Sequence, residues 1–328
     1  MTNEDRELPS EAGVVAADTA VGGGAATPSF AMPAGATIGL PGPLGTTRLG
    51  PRTFSWGSRT YVMGILNVTP DSFSGDGLLA TGGDAVAAAV ALGRQMVADG
   101  ADMLDVGGES TRPGHEDVPA DEETSRVVPV IAALRDALPE TPISIDTTKP
   151  AVAAAALDAG AHVVNDTWGV SEDGRLARLA GERGVPVVLM HNRAEARYSN
   201  LLPEILAELQ RAIERAVRLG VRWADIVVDP GFGFGKAPEH NLALLRDLAA
   251  LRLLGRPILL GTSRKSTLGK VLDLPADQRL EATLATTALA VAAGADIVRV
   301  HDVRPNVRVA RMADAIVRGT WPRTTSAG

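Results

Sequence analysis

Residues 143–166 read ISIDTTKPAVAAAALDAGAHVVND, and this stretch decides the architecture. A short β-branched run ends at Asp146. Pro150 then stands where a helix can begin, because the first helical N–H has no intrahelical partner to lose. An Ala-rich helix over Pro150–Ala159 stops at Gly160, and a second β-branched run ends at Asn165-Asp166. Strand, helix and strand in so short a span make a crossover unit whose two strands are parallel.

The same grammar recurs in both directions. Its other strand runs are YVMGILN (61–67), ADMLDVGGES (101–110), VVLMH (187–191), DIVVDPGFGFGK (225–236), ILLGTSRK (258–265) and DIVRVHD (296–302). Helix-like segments at 84–99, 121–138, 201–219, 241–254, 279–293 and 305–317 lie between or after them. Eight such units predict a (β/α)8 barrel, the TIM-barrel class of α/β fold, with its site at the C-terminal strand ends. Two further strand-like runs between residues 46 and 66 flank Trp56-Gly57-Ser58, which predicts an N-terminal β-hairpin turning there. Residues 1–45, rich in Gly, Ala and Pro, read as a disordered tail. Residues 46–320 read as one catalytic domain and 321–328 as a C-terminal tail.

Composition narrows the function. Hydrophobic residues are 45% of the 328, but aromatics only 3%, so the core rests on Val, Leu, Ile and Ala. The net charge of −7 and the lack of a basic tract argue against nucleic acid as a partner. No apolar stretch matches a bilayer, and the acidic start MTNEDRELPSE does not resemble a signal peptide. A soluble, cytoplasmic protein is expected. With no cysteine, thiolate metal sites are excluded.

The strand ends carry the chemistry. Asn67 opens NVTPDSFSGDG with a neutral amide able to ligate a hard metal or bond an oxyanion; it is equally suited to bonding turn backbone. Thr111, Arg112 and Pro113 follow consecutive glycines, offering a hydroxyl and a charged planar fork to phosphate. Asp146 and Asn165 suit a ligand with paired N–H donors, although Asp146 could instead cap the next helix. In Asp229-Pro-Gly-Phe-Gly-Phe234-Gly-Lys, glycines bring an aromatic face and backbone close to a flat ligand. Ser263, Arg264, Lys265 and Ser266 follow the seventh strand, and Arg299 and His301 share one face of the eighth. Barrels often bind anions at these two ends. Met190 would form an apolar wall beside His191, for which a structural role is as good a reading as a ligand role.

Taken in order, NVTPDSFS, DVGGESTRPG, SIDT, VVND, LMH, DPGFGFGK, SRKS and RVHD closely resemble dihydropteroate synthase. The resemblance implies a (β/α)8 barrel that joins 6-hydroxymethyl-7,8-dihydropterin diphosphate to 4-aminobenzoate, with Mg2+ as cofactor, in folate biosynthesis. It implies a homodimer and a sulfonamide target. It places pterin at Asp146, Asn165, Met190, Asp229 and Lys265. It places diphosphate at Asn67, Thr111, Arg112, Arg299 and His301, with Asn67 also contacting the metal. It places aminobenzoate at Pro113, Phe234, Arg264, Lys265 and Ser266. The catalytic set is then Asp146, Lys265, Arg299 and His301. The loops at 67–77 and 107–115 are expected to close over the reacting centre. After LMH this chain reads NRAEARYSN, without the glycine common there. The alternatives are a non-catalytic pterin-binding paralogue, and a corrinoid-dependent methyltransferase that would have no use for STR, SRKS and RVH.

Overall fold

The computed structural model describes residues 44–69, 82–109 and 117–321. All belong to one compact unit, Pro41–Gly328. The tail expected over 1–45 lies, apart from Leu44 and Gly45, outside the described residues, as do 322–328 of the C-terminal tail.

Two short antiparallel strands, β1 (Thr46–Leu49) and β2 (Arg52–Ser55), precede the barrel. The hairpin turns at Gly50-Pro51, not at Trp56-Gly57-Ser58. A two-residue loop needs a residue with positive φ at its first position, and Gly50 supplies it at 52°. Gly57 serves instead in the connection to the barrel, where its N–H donates to Asp296 Oδ1 at 3.0 Å.

Eight parallel strands follow: β3 (Tyr61–Asn67), β4 (Met103–Gly107), β5 (Ile143–Asp146), β6 (Val163–Asp166), β7 (Val187–Met190), β8 (Ile226–Asp229), β9 (Leu259–Leu260) and β10 (Ile297–Val300). Their order is β8-β7-β6-β5-β4-β3-β10-β9, and a single parallel bridge from Val228 to Ile258 links the two ends. β9 is the thin seam. Pro257 has no N–H to give a ladder, and only Leu259 and Leu260 pair with β10.

Nine helices are described: α1 (Gly82–Ala98), α2 (Ala120–Ala137), α3 (Pro150–Ala159), α4 (Arg175–Arg183), α5 (Leu201–Arg218), α6 (Pro238–Arg246), α7 (Ser266–Leu272), α8 (Leu280–Ala292) and α9 (Val303–Val317). α3 has Pro150 in its first turn and ends on Gly160 at φ 118°, as its sequence predicts. α4 and α7 escape a reading by periodicity because each is too short to repeat the pattern. The helix expected at 241–254 begins earlier, at Pro238, and gives way to a 3-10 turn over Leu248–Leu254. Asn241 does not start it. Its side chain is turned inward, accepting from Gly233 N–H at 2.7 Å and donating to Thr267 Oγ1 at 2.9 Å.

Strand alternation separates two cores. One face of the strands packs on the helices through residues such as Leu66, Leu104, Ile145, Val164 and Leu189. The other face points into the barrel. Its lower layer is Met63, Met103, Val163, Val188, Val227, Leu259 and Ile297, and the hairpin side chains Leu49 and Phe54, with Trp56, plug it from below. Phe54 and Tyr61 stack with centroids 4.4 Å apart. Two residues further along five of these strands, the same inward face carries Asp105, Asn165, Met190, Asp229 and Arg299. The barrel is dry and apolar at its N-terminal end and charged at its C-terminal end.

Candidate active site

The centre of the charged layer is Arg299. Its Nε donates to Asp105 Oδ2 at 2.6 Å and its terminal nitrogen to Asp146 Oδ2 at 2.6 Å. Asn165 Nδ2 donates to Asp105 Oδ2 at 3.1 Å. Strands β4, β5 and β10 therefore meet through one guanidinium, and β6 joins them through Asn165 on Asp105. Burial works against the charge on Arg299, but the two carboxylates outweigh it and hold its pKa above the ordinary value. Burial pushes the Asp146 carboxyl upward, with Arg299 opposing. Asp229 is also raised by burial, opposed by Lys265 and by the Gly231 N–H that its Oδ1 accepts at 2.7 Å.

Asp105 is absent from the residues assigned by motif, yet it is fully buried and shares Arg299. The signal for it was present. An ionisable residue two positions after Met103, on the inward side of a strand, cannot stay buried without a cation.

Lys265 sits at the end of the β9–α7 connection. Its ammonium donates to the Phe232 carbonyl and lies 4.3 Å from the centroid of the Phe234 ring. Burial lowers its pKa to about 8, with Asp229 acting in the other direction. Gly233, at φ 82°, allows this approach: a Cβ there would lie 2.8 Å from Lys265 Cδ. The neighbouring Lys236 has a different task. Its buried Nζ donates to the carbonyls of Gly231 and Phe234, both at 3.0 Å, and lies 2.9 Å from His191 Nδ1. It holds the glycine-rich loop in shape from within. Burial lowers Lys236 to about 7 and His191 to about 3, the latter with Lys236 as the second cause. His191 is fully buried beside Lys236.

At the eighth strand end, His301 Nδ1 lies 2.9 Å from Ser263 Oγ, which also accepts the His301 N–H at 3.1 Å. Arg264, at φ 58°, places its guanidinium on both oxygens of Asp302, at 2.7 and 3.0 Å. Ser266 is exposed in the first turn of α7, and Met190 is buried beside the pocket floor. Asn67 closes β3 at the mouth; a Cβ built on Gly107 would lie 3.7 Å from its Oδ1. Thr111, Arg112 and Pro113 lie outside the described residues, as do 70–81 of the first loop.

A second ionic cluster, which the motifs did not reveal, anchors the second loop. Lys149 Nζ lies 2.6 Å from Glu109 Oε2 and 2.7 Å from Glu123 Oε2, and Glu109 Oε1 accepts the Val118 N–H at 2.9 Å. Glu109 thereby ties together the two sides of the segment that carries Thr111 and Arg112. Among the described residues, no three His, Asp or Glu side chains are grouped to hold a metal ion.

Comparison with known proteins agrees with this geometry. The family model for pterin binding enzymes matches residues 63–301. The dihydropteroate synthase of Clostridium beijerinckii is 48% identical over 272 residues, covering 83% of this chain and 99% of the relative. The dihydropteroate synthase of Clostridium difficile, crystallised in the presence of pteroic acid, superposes with a TM-score of 0.77 at 50% identity, covering 81% of this chain and 99% of that one. That of Xanthomonas albilineans in complex with 7,8-dihydropteroate gives a TM-score of 0.75 at 38% identity, covering 84% of this chain and all of its own.

Proposed function

The chain belongs to the pterin-binding enzymes and, within them, to the dihydropteroate synthases, and from that premise we propose how its residues join 6-hydroxymethyl-7,8-dihydropterin diphosphate to 4-aminobenzoate. One observation carries the assignment of the pterin pocket. Asp105 Oδ1, Asp146 Oδ1 and Ser144 Oγ are buried without a hydrogen-bond partner among the described residues. An unpaired buried polar atom costs about 1–3 kcal/mol. A flat bicycle edged with amino and ring N–H groups removes that cost. Asp146 and Asp229 accept from those groups, while Asn165 and Lys265 donate to the carbonyl and ring acceptors. Met190 supplies an apolar wall.

The reaction breaks the bond between the pterin methylene carbon and the diphosphate oxygen, and the electron pair leaves with diphosphate. The neutral arylamine lone pair forms the new carbon–nitrogen bond, and the amine proton passes to the departing diphosphate. Cationic character on the methylene is stabilised by the ring and by the Asp146 carboxylate. Arg299, His301 and Asn67, with Thr111 and Arg112, are assigned to neutralising the charge that develops on diphosphate. The bonds from Arg299 to Asp105 and Asp146 support a reading in which one guanidinium serves both subsites. Phe234, Pro113, Arg264 and Ser266 receive aminobenzoate, and sulfonamides compete there. Most of the rate comes from alignment of the two substrates.

Mg2+ fits the residues as an ion bound largely through its substrate. Asn67 offers one hard neutral oxygen at the mouth, and Mg2+ characteristically completes its shell with phosphate oxygens and water. When bound, it neutralises charge on diphosphate.

A homodimer accounts for the apolar outer face of α8 and α9, where Leu289, Met312 and Ile316 are exposed. No helix among the described residues is long and apolar enough to cross a membrane, which accords with a cytoplasmic location.

The test is diphosphate release from the pterin diphosphate with Mg2+, with and without 4-aminobenzoate. Release that depends on aminobenzoate and falls by about two to three orders of magnitude in Lys265→Ala supports the reading. Pterin binding without turnover in the unsubstituted protein refutes it.

A further inference from the structure

The segment after β7, which lacks the glycine common in the family, is built around Arg193 and Tyr198. Arg193 is paired with Glu208 and, at 2.8 Å, with Glu204 of α5, and donates to the Arg197 carbonyl at 2.6 Å. Its guanidinium lies 4.4 Å from the centroid of the Tyr198 ring. The far edge of that ring meets His240 of α6, with centroids 5.0 Å apart. Held on both sides, Tyr198 donates its hydroxyl to the Gly235 carbonyl at 2.8 Å.

Gly235 belongs to the outer half of the glycine-rich loop. The inner half, Gly231 and Phe232, is buried, and Asp229 and Lys236 tie it down. Gly233, Phe234 and Gly235 are only half-buried. The outer half is held from within by Lys236, which donates to the Phe234 carbonyl, and laterally by Asn241, which accepts the Gly233 N–H, and by the segment after β7. Gly235, at φ 53°, lies so close to that segment that a Cβ would sit 2.2 Å from the Arg193 carbonyl oxygen. The Tyr198 hydroxyl therefore holds the Gly235–Lys236 peptide, one residue beyond Phe234, and Phe234 faces the Lys265 ammonium.

We infer that Tyr198, clamped by Arg193 and His240, is a positioning residue that sets the Phe234 ring against Lys265 and thereby tunes affinity for the arylamine substrate. This rests on the assignment of Phe234 to the aminobenzoate subsite. The pterin carboxylate Asp229 lies on the inner half of the loop, so the effect falls mainly on the arylamine.

Tyr198→Phe keeps the ring, the Arg193 stack and the His240 contact, and removes only the hydroxyl. One hydrogen bond of this kind corresponds to about a 3- to 10-fold rise in KM for 4-aminobenzoate. The turnover number and the Kd of the pterin diphosphate should stay within twofold of the unsubstituted protein. The change should also vanish in a Phe234→Leu background, since two residues acting through one contact are not additive. Equal weakening for both substrates, an unchanged KM, or full additivity with Phe234→Leu would each overturn the inference. If the unsubstituted protein shows no aminobenzoate-dependent release, the functional reading itself has failed, and that outcome is read before any variant is made.

Discussion

Replacing Arg299 by Met removes the cation from between two buried carboxylates. Asp105 and Asp146 each lie 2.6 Å from it, and among the described residues Asp105 keeps only Asn165 as a side-chain donor. Breaking a buried pair by removing one partner costs about 3–5 kcal/mol, because a charge is left uncompensated. The cost must depend on pH. Burial already raises Asp146, and Arg299 is the first opposing influence; without it, Asp105 and Glu123 add to burial and only Lys265 opposes. A carboxyl whose folded pKa exceeds its unfolded value, about 3.9 for Asp, binds its proton more tightly when folded. Stability therefore falls as pH rises from the unfolded value through the folded one, by about 1.4 kcal/mol per pH unit for each such carboxyl. With Arg299 present, Asp146 is already pushed up to about 7, so both proteins lose stability in parallel from pH 5 to 7, and the variant should fall about 1.4 kcal/mol per unit further behind between pH 7 and 9. Urea titrations of both proteins across that range measure the gap from midpoints and slopes. A gap that stays flat above pH 7, or narrows as pH rises, would refute the account of Arg299 as the cation that opposes burial at Asp146.

Other outcomes are expected elsewhere. Phe54→Ala should cost about 3–5 kcal/mol, because it opens the packed plug beneath the barrel; denaturant midpoints with an unchanged slope would check it. The Kd of the pterin diphosphate should rise as pH passes about 8, where free Lys265 loses its proton, by up to about tenfold per unit above that point. A profile between pH 7 and 9.5 that is flat for the unsubstituted protein would remove Lys265 from the pterin pocket. Met312→Glu, on the exposed face of α9, should shift a dimer towards monomer in sedimentation equilibrium; an unchanged mass would place the interface elsewhere.

Much of this protein is legible without coordinates, for a local reason. Whether a segment is strand or helix depends on residue type and spacing over a few positions, so Tyr61–Asn67, Ile143–Asp146 and Pro150–Ala159 can be bounded to the residue. Eight alternations then leave few architectures other than a barrel, and a barrel puts Asn67, Asp146, Asn165, Asp229 and Arg299 at one end. The eight ordered motifs are equally local, and they name the family. Partnership is another matter, because it joins residues that no local pattern relates. Arg299 and Asp105 are separated by 194 positions, and only closure of β10 onto β3, which in turn pairs with β4, brings a basic residue onto an aspartate within an apolar run. Lys149 with Glu109 and Glu123, Lys236 with His191, and Tyr198 with Gly235 likewise come from different strand–helix connections. The hairpin turn was misplaced for a related reason. Both Gly50 and Gly57 suit a turn locally, and the choice was made by the barrel floor, which takes Leu49, Phe54 and Trp56 as its plug. Sequence determined the elements and the end of the barrel at which chemistry occurs; tertiary structure decided which charges neutralise one another, because a buried charge is stable only beside its partner.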